Sequence, residues 1–386
     1  MKNQEKLDYL DGLRGIAILL VVIFHFWQIT WLNHSFTLFD VQFNLNYLAR
    51  GGFVGVEIFF FISGFCLYLP HAKYTFYDRK TPSIAQFTYK RAIKILPSYY
   101  LAIILILIFS DIQFQSAEQF TKTIISHIFF TNNIFTSLPK INGVFWSLAV
   151  EIQFYILFPI IAFFFRKKPL TAFLILVLIA NGFRQYVLHF DLNSVGYYME
   201  QMPASLDLFA CGMIAAHLST YIRLYGDKVM SKYTSITIAT LCTITSLIML
   251  SQLIRWYCDG LPLGTEKGIW QSYHRLSLGI TLICITVSGI FSHHIWQKII
   301  ANPVFIFLST TSYNLYIWHQ IISRYIYNNN IVTSNLNNPR DDLTWQLSVF
   351  ALSVIISCIV AALLTYGFER PIMKSDWRAM KDRIKK

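Results

Sequence analysis

The chain is expected to fold as an all-α integral membrane protein with about ten transmembrane helices and both termini in the cytoplasm. Three observations lead there. Apolar residues make up 55% of the 386-residue sequence and charged residues only 13%, about half the charged share of a soluble domain. Ten runs are each long and apolar enough to cross a bilayer. Lysine and arginine fall mostly into alternate loops, as the positive-inside rule requires.

The apolar runs cover roughly 15–32, 53–70, 95–110, 144–165, 170–188, 203–221, 235–254, 274–291, 303–323 and 344–366. The first lacks a small-residue cleavage site and is followed by many more, so it is read as a retained helix rather than a signal peptide. The more polar segment 117–135, "AEQFTKTIISHIFFTNNIF", is read as an interfacial amphipathic helix. With the N-terminus inside, the segments 1–14, 71–94, 166–168, 222–233, 292–301 and 367–386 hold 23 of the 32 lysines and arginines. The last is a basic cytoplasmic tail. The net charge of +12 therefore sets topology in a multi-pass cell-membrane protein. No basic block with interleaved aromatics forms a separable domain, and no nucleic-acid partner is expected. The whole chain, 1–386, reads as one membrane domain. Its six cysteines are scattered through apolar runs without a CxxC pair and are read as small buried hydrophobes. The histidines form no HxxxH or HExxH pair, so no metal site is expected.

Several polar residues stand where lipid or packed helix is expected. In "LDGLRGIAILLVVIFH", Arg14 lies at the mouth of the first run and His25 lies eleven residues on, about 16 Å deeper. An ionisable ring at that depth is a functional candidate by default; the alternative is a ring satisfied by a neighbouring helix. Glu57 lies near the outer end of the second span, either as an interfacial carboxylate or as a partner for a buried ring. Lys90, Arg91 and Lys94 share one helical turn ahead of Pro97. They read either as a topogenic cluster or as a phosphate site. In "WSLAVEIQFYILFP", Glu151 and Gln153 lie about two turns below the outer surface. Trp146 and Tyr155 are belt residues or line a sugar site. His319, in "STTSYNLYIWHQ", falls towards the outer end of its span, and Glu369 and Arg370, in "YGFERPI", at the inner end of the last.

Taken together, these segments resemble the membrane-bound acyltransferase 3 family. Arg14 and His25 match its pattern of a basic residue, ten intervening residues and a histidine. "GVEIFFFISGF", "WSLAVEIQFYILFP", "SYNLYIWHQ" and "FERP" follow in family order, so the resemblance covers about residues 7–373. Two positions depart from the pattern. Lys94 stands where the family has the second arginine of Arg-x-x-Arg, keeping the charge and losing the planar fork. Ile152 stands where many members have a second glutamate, which points to Glu151 as the acid that matters.

The resemblance implies an O-acyltransferase that takes an acyl group, usually acetyl, from cytoplasmic acyl-CoA. The acceptor is a hydroxyl of a surface polysaccharide or lipid-linked sugar such as O antigen. It implies acyl-CoA as a donor substrate rather than a resident cofactor. His25 and Glu151 would be catalytic. Arg14, Arg91 and Lys94 would hold the donor phosphates, and Glu57, Trp146, Gln153 and His319 the acceptor. Some members carry a fused extracytoplasmic esterase-like domain, and none is expected here. The competing reading is a glycan or solute exporter in which buried His and Glu relay protons. Against it, no matched pair of Gly/Pro-broken helices appears in corresponding halves.

Overall fold

The computed structural model describes residues 4–375 apart from 34, 40, 82, 111, 136, 230 and 261–265. It opens with α1 (Gln4–Thr30), an antiparallel hairpin of β1 (Ser35–Leu38) and β2 (Val41–Asn44), and α2 (Asn46–Arg50). Next come α3 (Val54–Tyr77), α4 (Ile84–Phe109), α5 (Ala117–Ile128), α6 (Phe145–Lys167) and α7 (Pro169–Phe190). Then follow α8 (Val195–Met199), α9 (Leu206–Val229), α10 (Lys232–Gly260), α11 (Glu266–Phe291), α12 (His294–Ile300), α13 (Pro303–Asn328) and α14 (Leu343–Leu364). A π-helical turn, Thr365–Glu369, continues α14. From residue 376 onward the expected basic tail lies outside the described residues.

Each of the ten apolar runs is a helix, and α5 occupies the first part of the interfacial segment. Among the described residues, nine helices are long and apolar enough to cross a membrane. The helix of the ninth run, α13, is not one of them, because serines, threonines, Asn314, His319 and Gln320 dilute its apolar character. Several helices outrun their apolar cores. The third run begins near residue 95, yet α4 starts at Ile84, where the Ser83 hydroxyl accepts the Gln86 N–H at 3.2 Å. A capped polar turn extends a helix beyond the membrane without burying anything. Lys90, Arg91 and Lys94 are therefore helical.

The all-α class holds, with the hairpin as its one addition among the described residues. Ser35 pairs with Asn44 and Leu38 with Val41. The residue after β1, Phe39, has a φ of 50°. Such a short alternating segment leaves little signal beside two strong apolar runs.

The chain forms two compact units, one comprising Met1–Leu20, Arg50–Pro82 and Trp146–Ser309, the other Val21–Ala49, Ser83–Phe145 and Thr310–Lys386. In the first, α3 and α9 cross with backbones in close approach. A Cβ on Gly64 would meet the Phe209 carbonyl, and one on Gly212 would meet that of Phe61. Small residues at such a crossing are the usual membrane solution, since lipid supplies no hydrophobic drive between helices. Beside it, the Phe209 ring stacks on Phe154 at 3.9 Å and on Phe60 at 5.0 Å.

One end of this unit is held by buried charge. The Arg275 Nη2 lies 3.0 Å from Glu57 Oε1, with both side chains essentially inaccessible. Gln271 Nε2 donates to the same oxygen at 2.6 Å. Arg184 pairs with Asp207 at 2.6 Å, again fully buried. Both arginines donate to one carbonyl, that of Ala204, at 2.7 and 3.1 Å. Arg275 also donates to the Met199 carbonyl at 3.0 Å. This set ties α3, α7, α9 and α11 together.

In the second unit α13 exchanges hydrogen bonds with several segments. Tyr313 donates to the Ile95 carbonyl at 2.8 Å and Tyr316 to that of Val144 at 3.3 Å. Asn142 Nδ2 donates to the Ile317 carbonyl at 2.9 Å.

Removing one partner of a buried ion pair strands the other charge and costs about 3–5 kcal/mol. Arg275→Met should therefore lower the thermal unfolding midpoint in detergent markedly. Replacing the pair together, Glu57→Leu with Arg275→Met, should recover much of that loss. Equal losses in the single and double variants would show that the pair is not coupled.

Candidate functional site

Of the residues singled out in the sequence, the first unit holds Arg14, Glu57, Trp146, Glu151 and Gln153. The second holds His25, Arg91, Lys94 and His319.

In the second unit, His25 near the end of α1 meets His319 on α13. Their facing nitrogens, His25 Nδ1 and His319 Nε2, lie 3.0 Å apart. Each ring also uses Nδ1 towards the carbonyl one turn back on its own helix. His319 Nδ1 lies 2.9 Å from Leu315 O, and His25 Nδ1 lies 2.9 Å from Val21 O. A carbonyl oxygen can only accept, so both Nδ1 atoms carry protons. The protonated His25 Nδ1 faces His319 Nε2, which must then supply a lone pair, so His319 is a neutral Nδ1–H ring. In neutral His25 the remaining lone pair is on Nε2. Burial differs as well: His319 is 0% exposed, whereas His25 is half-buried. The sequence placed His319 at the acceptor. In the structure its ring is enclosed and contacts His25.

Also in the second unit, Arg91 and Lys94 are half-buried on α4. Lys94 lies within electrostatic reach of Glu369 in the π-helical turn. Glu369 Oε2 also accepts from Asn314 Nδ2 at 2.8 Å, and the same Nδ2 donates to Thr365 Oγ1 at 2.9 Å. The "SYNLYIWHQ" and "FERP" segments thus meet around the basic turn of α4, a link that residue spacing could not show. His127 on α5 is buried, with Nδ1 2.8 Å from Thr123 O. Burial holds its imidazole below the ordinary histidine range.

The first unit gathers a second polar group. The Glu151 carboxylate accepts from Ser63 on α3 and from Tyr155 one turn along α6. The two hydroxyls lie 3.2 Å apart. The Arg14 guanidinium stands within electrostatic reach of Glu151 and Tyr155. It donates to Asp11 Oδ1 at 2.6 Å and to Cys66 Sγ at 3.6 Å. Arg14 and Glu151 are partly exposed, so the network is half-open. Asp11, Ser63 and Cys66 carry no sequence signal strong enough to mark them. Trp146 is nearly buried, with its ring against Phe60 at 6.2 Å and under the Lys267 ammonium at 5.6 Å. Gln153 is half-buried on α6. Glu57 faces Arg275 and Gln271 rather than open space, as described above; its depth is met by a structural partner far along the chain.

Among curated proteins, the O-acetyltransferases OatA of Staphylococcus aureus strains NCTC 8325 and COL are 24% identical over 400 residues. A strain COL protein named as a candidate O-acetyltransferase is 24% identical over 407 residues. In each case the match covers 98% of this chain and 59% of the relative, so the chain spans about three-fifths of the length of the curated relatives it matches. No solved structure matches. The family model described as "Acyltransferase domain" matches residues 7–366. That span takes in the His25–His319 pair and the Glu151 group, and the chain belongs to the acyltransferase 3 family.

Proposed function

We propose that this chain is a bacterial cytoplasmic-membrane O-acyltransferase. It moves an acyl group, with acetyl favoured by the relatives' names, from acyl-CoA to a hydroxyl of a surface polysaccharide or lipid-linked sugar such as O antigen. The observation that carries the reading is the His25–His319 pair. It leaves His25 with a lone pair on Nε2 in a half-exposed ring, while Nδ1–H is held by two acceptors.

A sugar hydroxyl is a poor nucleophile at neutral pH. On this reading its proton moves to His25 Nε2 as the oxygen attacks the thioester carbonyl. The new C–O bond forms and the carbonyl oxygen takes the charge. Collapse breaks the C–S bond, and the imidazolium returns the proton to the leaving thiolate, giving free thiol. While His25 is charged, its Nδ1–H already points at Val21 O and His319 Nε2, so the cation forms without reorganisation. A base in this position typically contributes about 10²–10⁴-fold. The competing version, an acyl-His25 intermediate, uses the same Nε2 lone pair. His319 is a positioning residue. Arg91 and Lys94 take donor phosphates, with Glu369 offsetting part of the charge at Lys94. Glu151 serves the acceptor side.

His25→Ala, folded and expressed at the wild-type level, should lose nearly all acyl transfer to surface glycan measured by mass analysis. Retention of more than about a tenth of the rate would fall below the general-base range and reduce His25 to packing. For His319, leucine should cut kcat and change the pH–rate profile, while glutamine, whose Oε1 can accept from His25 Nδ1–H, should restore part of both. Equal kcat and pH–rate profiles in the two variants would assign His319 to packing alone.

Arg91→Ala should raise the KM for acyl-CoA, since a charge-assisted contact is worth roughly 1.5–3 kcal/mol. An unchanged donor affinity in the folded variant defeats that assignment. Glu151→Gln keeps the shape and removes the charge. A wild-type acylation rate in that variant would make Glu151 structural.

A further inference from the structure

The end of the first unit away from the buried arginines holds a different cluster, at the C-terminal parts of α3 and α6 and the middle of α9. Tyr68 is fully buried and ringed by His71 at 5.9 Å, His217 at 6.4 Å and Phe165 at 4.9 Å. Phe158 lies against His71 at 5.5 Å and Phe76 against His217 at 4.8 Å. Four buried polar atoms here have no hydrogen-bond partner: Tyr68 Oη, His71 Nδ1, His217 Nδ1 and Arg166 Nε. A buried donor or acceptor left unmade costs about 1–3 kcal/mol, so four in one group need an occupant.

Charge decides what kind. Arg166 stands within electrostatic reach of Tyr68 and His71, with its guanidinium 5.3 Å from the Tyr74 ring centroid. Lys73, on the same stretch of α3, lies within reach of Arg79 and Arg223. Among the described residues no carboxylate pairs with Arg166, Lys73 or Arg79. Water could satisfy the neutral atoms but would leave the half-buried Arg166 and Lys73 without a counter-charge. An anion answers both. A phosphate has enough acceptor oxygens for a hydroxyl, a guanidinium and two imidazole N–H groups, more than a carboxylate offers.

We infer that Tyr68, His71, Arg166 and His217, with Lys73 and Arg79 nearby, form a phosphate-binding site. It is distinct from Arg91 and Lys94 and from the His25 group. The phosphate comes either from an anionic lipid headgroup or from a soluble phosphate compound entering from the basic end.

The test uses the full chain purified in neutral detergent. In one arm, calorimetry measures inorganic pyrophosphate binding. In the other, native mass spectrometry measures retention of phosphatidylglycerol against phosphatidylcholine. Tyr68→Phe removes one hydroxyl and little volume; Arg166→Gln removes the charge. Each variant should weaken binding about tenfold or more in the arm that reports the true source, whereas His25→Ala should change neither arm. Loss in the pyrophosphate arm identifies a soluble ligand, and loss in the lipid arm a headgroup. Binding that is absent in both arms, or equal in wild type and both variants, overturns the site and leaves water as its occupant.

Discussion

Taking a guanidinium out of water costs several kcal/mol unless its charge is answered. The first unit meets that demand twice around a single carbonyl. Arg184 and Arg275 come from helices far apart in sequence and converge on Ala204 O, each with its own carboxylate. Lipid gives helices no hydrophobic reason to associate, so specific polar bonds and close backbone packing must do so. The Gly64–Gly212 crossing supplies the packing. The paired arginines fix which ends of α3, α7, α9 and α11 lie together. Ser63, which donates to Glu151, lies on α3 within that frame.

The polar interior holds two kinds of group. Glu57 and Asp207 are enclosed and fully paired, as structural charges must be. His25 and Glu151 are supported on one side and half-exposed on the other. Depth in the membrane is common to both sets, so it does not separate them. What separates them is exposure: Glu57 and Asp207 are buried, whereas His25 and Glu151 are partly exposed.

This difference explains what was legible in the sequence. Helix positions were legible because a span needs about twenty apolar residues in a row, a local property. Arg14, His25, Arg91 and Glu151 were legible because an ionisable residue near or within such a run is costly wherever the rest of the chain goes. The partners were not. Arg275 follows Glu57 by 218 residues and His319 follows His25 by 294, and no periodicity spans such distances. Glu57 therefore looked like His25 in sequence until Arg275 was seen to enclose it. The nearness of Glu369 to Lys94 was equally hidden in the sequence.

The π-helical turn at Thr365–Glu369 has a consequence for how related chains align. A π turn is an α-helix carrying one surplus residue. Here that surplus sets the angular position of Glu369, whose carboxylate accepts from Asn314. A relative lacking one residue between α14 and its "FERP" segment would still be helical throughout, yet its glutamate would be rotated by about 100° about the axis. The spacing between the last apolar run and this glutamate is thus a geometric parameter of the fold. A single-residue gap there marks a change of register rather than a shortened loop.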